Sequence, residues 1–401
     1  MMPTDAPDST LGNPIEPTNA PIRSLRELID IVTGKAFSPP AIQEDAGYAE
    51  NLPFPFLAIV GQEEMKLALL LSIINPGVGG VLLVGPRGTG KTTAVRSLVN
   101  LLPFVNRSTC YYGCTPEDIE TGGIDAVCSD CAKKYAAGIP LVKPSPVHLV
   151  ELPLNARLED VVGEWIDNPS GYERSRLRRG ILGQADLNVL YIDEVNLLEN
   201  DIVNVILDAS AQGAYYIRRG QAIANFRSRF TLIGSMNPEE GNLRPQILDR
   251  FGLRVLVSGL KDSSDRFKAY QRVQAYHNNP RGVVLNYEPE IQTARDEINT
   301  ARKLLPKITI PPDVAQAGIQ LIQKLRIDSL RAEITLFESA RACAAADART
   351  SVSFDDLRTV APMALRFRRS PFMIQYFESQ SREEDELSTL VNELIPVDNQ
   401  E

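Results

Sequence analysis

Apolar residues fall along this chain in two rhythms, and the change from one to the other comes near Lys261. Upstream, short continuous apolar runs at Val81–Val84, Val147–Leu152, Val189–Ile192, Phe230–Ile233 and Val255–Val257 alternate with helix-compatible stretches. Runs of that length, apolar at every position, predict strands covered on both faces, as in a parallel sheet between helical layers. Downstream the strand signal disappears. Residues 264–278, 285–305, 312–326, 329–348 and 354–367 read as helices, punctuated by Pro306, Pro311 and Pro312, with Ser353-x-x-Asp356 as a capping pattern. The predicted class is α/β: a parallel five-stranded sheet flanked by helices, then an all-α domain.

Other segments depart from these rhythms. Residues 1–22 are rich in Pro, Asp, Thr and Asn and read as a disordered tail. Leu25, Leu28, Ile29 and Val32 suit one short amphipathic helix closed by Pro39 and Pro40. Residues 379–401 read as an acidic tail. The expected domains are thus a tail at 1–50, an α/β core at 51–260 with a cysteine-rich insert at 105–145, a helical domain at 261–378, and the tail at 379–401. The long apolar stretch from Leu67 is broken by Asn75, Pro76 and glycines, so it reads as a helix then a strand rather than a membrane span. No secretory signal pattern opens the chain, and a cytoplasmic address is the expectation. A net charge of −9 over 401 residues argues against a general nucleic-acid binder.

Chemistry enters with GPRGTGKT, in which Gly85, Gly90, Lys91 and Thr92 fill G-x-x-x-x-G-K-[ST] after an apolar run and before a helical one. Glycines let backbone N–H groups face phosphate oxygens, the lysine neutralises the β/γ-phosphates, and the threonine hydroxyl takes Mg²⁺. Gly85, Pro86, Arg87, Gly88, Thr89, Gly90, Lys91, Thr92 and Thr93 are therefore the nucleotide loop, with ATP and Mg²⁺ as ligands. NVLYIDE ends an apolar strand in two carboxylates: Asp193 for the Mg²⁺ shell with Thr92, and Glu194 to activate the attacking water. Asn237, ending the next strand, suits a neutral amide that orients that water, or one that caps the turn before Pro238. Arg250 suits an arginine finger acting on a neighbouring subunit, or else a salt bridge with Asp249 or a plain surface arginine. Arg331, at the start of a helix in the second domain, suits a group that reaches the phosphates, or an ordinary helix-surface arginine.

These residues resemble an AAA+ ATPase, and more closely the ATPase subunit (subunit I) of magnesium chelatase, over about 52–370. The most specific stretches are FPFLAIVGQEEMKLALLLSIINPGVGGVLLVGPRGTGKTT, ELPLNA, YIDEVNLL, GSMNPEEGNLRPQILDRFG and SLRAEI. The resemblance implies that Val60, Gly61 and Gln62 lie by the adenine, that Asn237 is sensor 1, Arg250 the arginine finger and Arg331 sensor 2. It also implies a homo-oligomeric (hexameric) ring that drives Mg²⁺ insertion into protoporphyrin IX, and a β-hairpin before sensor 1, which Tyr215–Arg218 and Gln221–Asn225, split by Arg219-Gly220, resemble. Its partners would be a second AAA+/von Willebrand-type subunit and a large porphyrin-binding subunit. Two segments depart from the family pattern: Arg157-Leu158-Glu159-Asp160 follows ELPLNA, and RRGILGQADLN precedes the Asp193 strand. They leave a cobalt-chelatase-type subunit or a protein-remodelling AAA+ module as alternatives.

Cys110, Cys114, Cys128 and Cys131 form two close pairs, a spacing that suits a structural Cys₄ zinc site. Redox-responsive thiols and inert cysteines are the alternatives. Cys343 reads as core, His148 as a structural strand residue, and Arg174, Arg176, Arg178 and Arg179 as a solvated or subunit-facing surface.

Overall fold

The computed structural model describes residues 52–110, 112–166, 176–219, 222–241 and 243–369. The short helix expected near Leu25–Val32, both tails, Arg174 and the hairpin tip lie outside the described residues.

Helix α1 (Glu63–Ile74), strand β1 (Val81–Val84) and helix α2 (Lys91–Ser97) come first. The chain then leaves the sheet through β2 (Phe104–Ser108), α3 (Pro116–Gly122), α4 (Ser129–Ala136) and β3 (Val142–Pro146). It returns in β4 (Leu149–Leu152) and passes α5 (Leu158–Val162), β5 (Gly163–Ile166), β6 (Arg176–Arg179) and α6 (Ile181–Ala185) to β7 (Val189–Ile192). Helix α7 (Asn200–Gln212), the hairpin β8 (Ala214–Arg219) and β9 (Ala222–Arg227), strand β10 (Thr231–Met236), helix α8 (Pro245–Arg250) and β11 (Leu253–Leu256) complete the α/β part. Helices α9 (Ser263–Asn278), α10 (Pro280–Leu304), α11 (Pro312–Lys324), α12 (Leu330–Ala346) and α13 (Phe354–Leu365) follow.

Five strands form one sheet in the order β11-β1-β10-β7-β4, with every neighbouring pair parallel. Alternate residues serve opposite faces, because successive Cβ atoms of a strand point to opposite sides. Val81, Leu83, Val189, Tyr191, Ile233, Leu253 and Val255 join one core, with α1 and apolar residues of α10–α13. Leu82, Val84, Leu190, Ile192 and Leu232 join the other, with Ile202, Ile206 and Leu207 of α7. The helical region therefore shares a core with one face of the sheet. Its polar seams reinforce this: Asn75 Nδ2 donates to Glu338 Oε2 at 2.7 Å, and Arg302 Nε to the Ile73 carbonyl at 2.9 Å.

Strand boundaries shift from the sequence expectation. The Val147 run begins its ladder at Leu149, so His148 lies just before β4, exposed, and its carbonyl accepts from Val189 N at 3.0 Å. The Phe230 run extends to Met236, and the last strand begins at Leu253 rather than Val255. The insert holds an antiparallel pair, β2 with β3, that its polar residues and prolines conceal. Pro144 and Pro146 are tolerated because each strand has one partner only. Arg176, Arg178 and Arg179 lie on β6, paired with β5. Cys343 packs half-buried against the first core, and burial pushes its thiol up to about 12.

Candidate functional site: a phosphate cleft at the carboxyl ends of three strands

Strand β1 has β10 on one side and β11 on the other, so the chain's sequential order reverses there. Ligands of open α/β sheets bind outside the carboxyl ends of strands at such a point. A cleft of about 290 Å³ lies there, lined by residues 87–93, Asp193, Glu194 and residues 235–237. The loop opens at Gly85, whose N–H donates to the Met236 carbonyl at 3.1 Å. A Cβ at Gly85 would stand 2.0 Å from the Val257 carbonyl oxygen, so only glycine lets β11 approach. Gly88 and Gly90 have φ of +77° and +86° and open space where a Cβ would point, a cradle whose backbone a phosphate can approach closely.

Lys91 is 8% exposed, and its Nζ donates to the Gly85 and Pro86 carbonyls at 2.6 and 2.8 Å. An ammonium has three donors, so a third remains for an anion. Burial presses the Lys91 pKa below its ordinary value, while Asp193, Glu194 and Glu240 pull it back. Thr92 Oγ1 donates to Asp193 Oδ2 at 3.2 Å. This hydroxyl and carboxylate are the hard oxygen donors that Mg²⁺ takes alongside phosphate oxygens and water. The residues present thus fit a magnesium-bound nucleoside triphosphate.

Two residues that sequence reasoning missed hold Asp193 in place. The Tyr191 hydroxyl donates to Asp193 Oδ1 at 2.9 Å and lies 3.2 Å from Thr92 Oγ1 and from Ser235 Oγ. Ser235 Oγ makes a short bond to the same Asp193 oxygen and accepts from Glu194 N at 3.3 Å. Burial pushes the Tyr191 hydroxyl far above its ordinary pKa, which keeps it a neutral donor to the carboxylate. The one available signal was position: Tyr191 stands two residues before Asp193 on a strand, hence on the same face.

Glu194 sits in a left-handed backbone conformation, φ +52°, a position that non-glycine residues rarely occupy and that clusters at functional sites. Arg87 NH2 donates to Glu194 Oε1 at 3.2 Å and also pairs with Glu240. Asn237 is 3% exposed and lines the cleft. Its Oδ1 accepts from Glu239 N at 3.3 Å, so the amide does cap the turn after Pro238 while standing beside Glu194 and Lys91.

Val60 and Gln62 line a second pocket of about 430 Å³, which shares Gly88, Thr89, Gly90 and Thr93 with the phosphate cleft. Gln62 Nε2 donates to the Ser258 carbonyl at 2.7 Å, and Gly61 takes φ +61°. Ile59, Leu260, Ala269 and Val273 supply apolar walls of the kind that a nucleobase occupies.

The two remaining arginines stand away from the cleft lining. Arg250, at the end of α8, donates to Asp208 Oδ1 of α7 at 2.6 Å, not to Asp249. Arg331 does not reach the phosphate loop in this conformation: its NH1 donates to Asp249 Oδ2 at 3.2 Å. Asp249 is a hub that sequence reasoning did not find. Its Oδ1 accepts from Arg368 NH1 at 2.9 Å, with Arg254 NH2 at 3.7 Å, and both guanidiniums are fully buried. Burial and the Arg368 charge both press the Arg254 pKa down. Carbonyls of Leu248 and Arg366 receive Arg254, and those of Phe251, Gly252 and Ala364 receive Arg368.

The four insert cysteines converge, with all four Sγ atoms within 4.8 Å of one another. Burial pushes the Cys110 thiol up, but bonds from Ser108 Oγ and Cys114 N outweigh it and bring it down to about 6.

Comparison with known proteins follows the same lines. Residues 55–137 match the family model "Magnesium chelatase, subunit ChlI", and 316–390 match the AAA lid domain. The chain is similar to a magnesium-chelatase subunit ChlI homolog of Methanocaldococcus jannaschii, 40% identical over 87% of this chain and 93% of that one. It is also similar to the magnesium-chelatase 38 kDa subunit of Rhodobacter capsulatus, 41% identical over 82% and 93% of the two chains. A crystal structure of a candidate ATPase from Cytophaga hutchinsonii shares the fold at TM-score 0.50 and 20% identity, covering 78% of this chain and 84% of that one.

Proposed function

The chain belongs to the magnesium-chelatase subunit ChlI family, and from that premise we propose that it is the ATP-hydrolysing subunit that powers insertion of Mg²⁺ into protoporphyrin IX in (bacterio)chlorophyll biosynthesis. The observation that carries the reading is the convergence of Lys91, Thr92, Asp193 and Glu194 at the ends of β1 and β7 in a chain of this ancestry. The magnesium-chelatase names of both relatives favour it over a cobalt-chelatase or remodelling role.

The loop N–H groups and Lys91 bind the triphosphate, and Val60 and Gln62 face the base. Thr92 and Asp193 would hold Mg²⁺, which would supply positive charge beside the phosphate oxygens. Tyr191 and Ser235 fix the Asp193 carboxylate so that no reorganisation is needed as negative charge develops there. Glu194 accepts a proton from the attacking water, which Asn237 orients. Arg87 pairs with Glu194 Oε1, so a γ-phosphate that draws Arg87 away leaves that carboxylate oxygen open to the attacking water.

Arg250 acts on the ATP of a neighbouring copy in a homo-oligomeric (hexameric) ring, and Arg331 swings from Asp249 toward the phosphates when the helical region closes. The partners are a second AAA+/von Willebrand-type subunit and a large porphyrin-binding subunit, and the address is the cytoplasm. Among the described residues, no helix is long and apolar enough to cross a membrane. The four-cysteine cluster holds one structural Zn²⁺. The experiment is Mg²⁺ insertion into protoporphyrin IX with purified partner subunits. Lys91→Ala and Arg250→Ala chains should each be inactive and recover partial ATP turnover when mixed, because some interfaces regain both groups. Failure to recover in rings shown to contain both chains would overturn the shared site.

A further inference from the structure

The insert contains very little apolar material. Its only buried apolar side chains among the described residues of that cluster are Cys114, Cys131 and Leu141, with Cys110, Ile119, Val127 and Cys128 packed around them. Such a cluster cannot offset the conformational entropy of ordering some forty residues, so the segment needs another source of cohesion. The cysteines supply the means. Four sulfurs within 4.8 Å of one another match a tetrahedral shell, in which Zn–S bonds of about 2.3 Å set the sulfurs roughly 3.8 Å apart. A polynuclear iron–sulfur cluster would spread its thiolates wider. Cys114 N and Cys128 N donate to Cys110 Sγ and Cys114 Sγ at 3.2 and 3.4 Å, an arrangement that favours sulfur bearing negative charge.

Among the described residues, two sets of side-chain hydrogen bonds fasten the insert, one to the core and one to the hairpin. At its base, Arg107 NH2 donates to Asn188 Oδ1 at 2.6 Å, and Asn188 directly precedes β7, the strand that ends at the Asp193 and Glu194 carboxylates. Near the cysteines, Arg227 of β9 donates through NH1 to the carbonyl of Gly113, which lies between Cys110 and Cys114, at 3.1 Å. Its NH2 pairs with Asp118 Oδ1. The other Asp118 oxygen accepts from Thr115 N at 2.8 Å, and Thr115 follows Cys114 directly. A continuous chain of bonds therefore runs from the cysteine sulfurs through Thr115 and Asp118 to the hairpin.

From this connection, which rests on the zinc reading above, we infer that one Zn²⁺ bound by Cys110, Cys114, Cys128 and Cys131 makes the insert a strut that positions the β8–β9 hairpin through Arg227. Arg227 is a positioning residue: the metal orders the Gly113 carbonyl and Asp118, and these hold its guanidinium. Losing the metal loosens the hairpin although all four proposed ligands lie in the insert.

The test uses the full chain purified without added metal. Elemental analysis should find about one zinc per chain. Stripping the metal with a chelator and a thiol-reactive mercurial, then removing the mercurial with dithiothreitol, should speed amide exchange at 104–146. Exchange across 214–227 should also rise about tenfold or more, while 81–84 stays protected. Arg227→Ala should loosen the hairpin with zinc content unchanged, and Arg227→Lys should restore less than half of the lost protection. Iron in place of zinc, a disulfide, or four free thiols with no metal would overturn the site. A hairpin whose exchange is the same with and without zinc would overturn the strut. Both readouts need neither partner subunits nor turnover, so their failure leaves the chelatase reading standing, and failed Mg²⁺ insertion leaves the strut standing.

Discussion

Replacing Asp249 with Asn removes one negative charge from the point where α8 meets the helical region, and the structure sets the size of the effect. Arg368 lies 2.9 Å from Asp249 Oδ1 and Arg254 3.7 Å from it, both guanidiniums 0% exposed, while the carboxylate itself is 36% exposed. Stripping the partner from a buried charge costs about 3–5 kcal/mol. Three features reduce that here: the carboxylate is partly solvated, the amide keeps an acceptor, and both arginines retain backbone carbonyls. A loss of about 2 kcal/mol is expected. Arg331 contributes less than about 0.5 kcal/mol to the total, because its pair with Asp249 is screened by water. Urea unfolding followed by circular dichroism, with a slope of about 3 kcal/mol per molar, should place the Asp249→Asn midpoint roughly 0.7 M below wild type. Arg331→Ala, the exposed control, should move it by less than about 0.2 M. An Asp249→Asn midpoint within that same margin would refute the reasoning, since the carbonyls alone would then satisfy two buried cations.

Other consequences are as direct. Lys91→Ala should abolish binding of a fluorescent ATP analogue, whereas Glu194→Gln should keep it while the hydrolysis rate falls about 10²–10⁴-fold; wild-type turnover by the second variant would remove Glu194 from the base role. Asp356 titrates with a defined sign: burial alone would raise its carboxyl, but Arg349 and Ser353 overcome this and hold it below its ordinary 3.8. A depressed acid stabilises the fold above its unfolded pKa and ceases to do so as pH falls through the folded value. The stability gap between wild type and Asp356→Asn should therefore be constant from pH 7 to about 5 and shrink below about pH 4. A gap that widened on acidification would contradict the assignment.

Much of the nucleotide site is written in contiguous residues. A phosphate cradle is made of consecutive backbone N–H groups, so GPRGTGKT declares itself without a tertiary structure, and so does a strand that ends in Asp193 and Glu194. The cysteines could be paired by spacing for the same reason, and the helical half by its periodicity. The polar strands β2 and β3 could not, because neither carries an apolar alternation to reveal a buried face. Nor could the long-range pairs that hold the site and the elements around it together. Tyr191 meets Ser235 across 44 residues, Arg87 meets Glu194 across 107, Arg227 meets Asp118 across 109, and Arg368 meets Asp249 across 119. Tyrosines, serines and arginines are ordinary anywhere in a sequence. Their roles arise only when the fold brings distant segments together, excluding enough water for each polar group to need the particular partner the fold supplies.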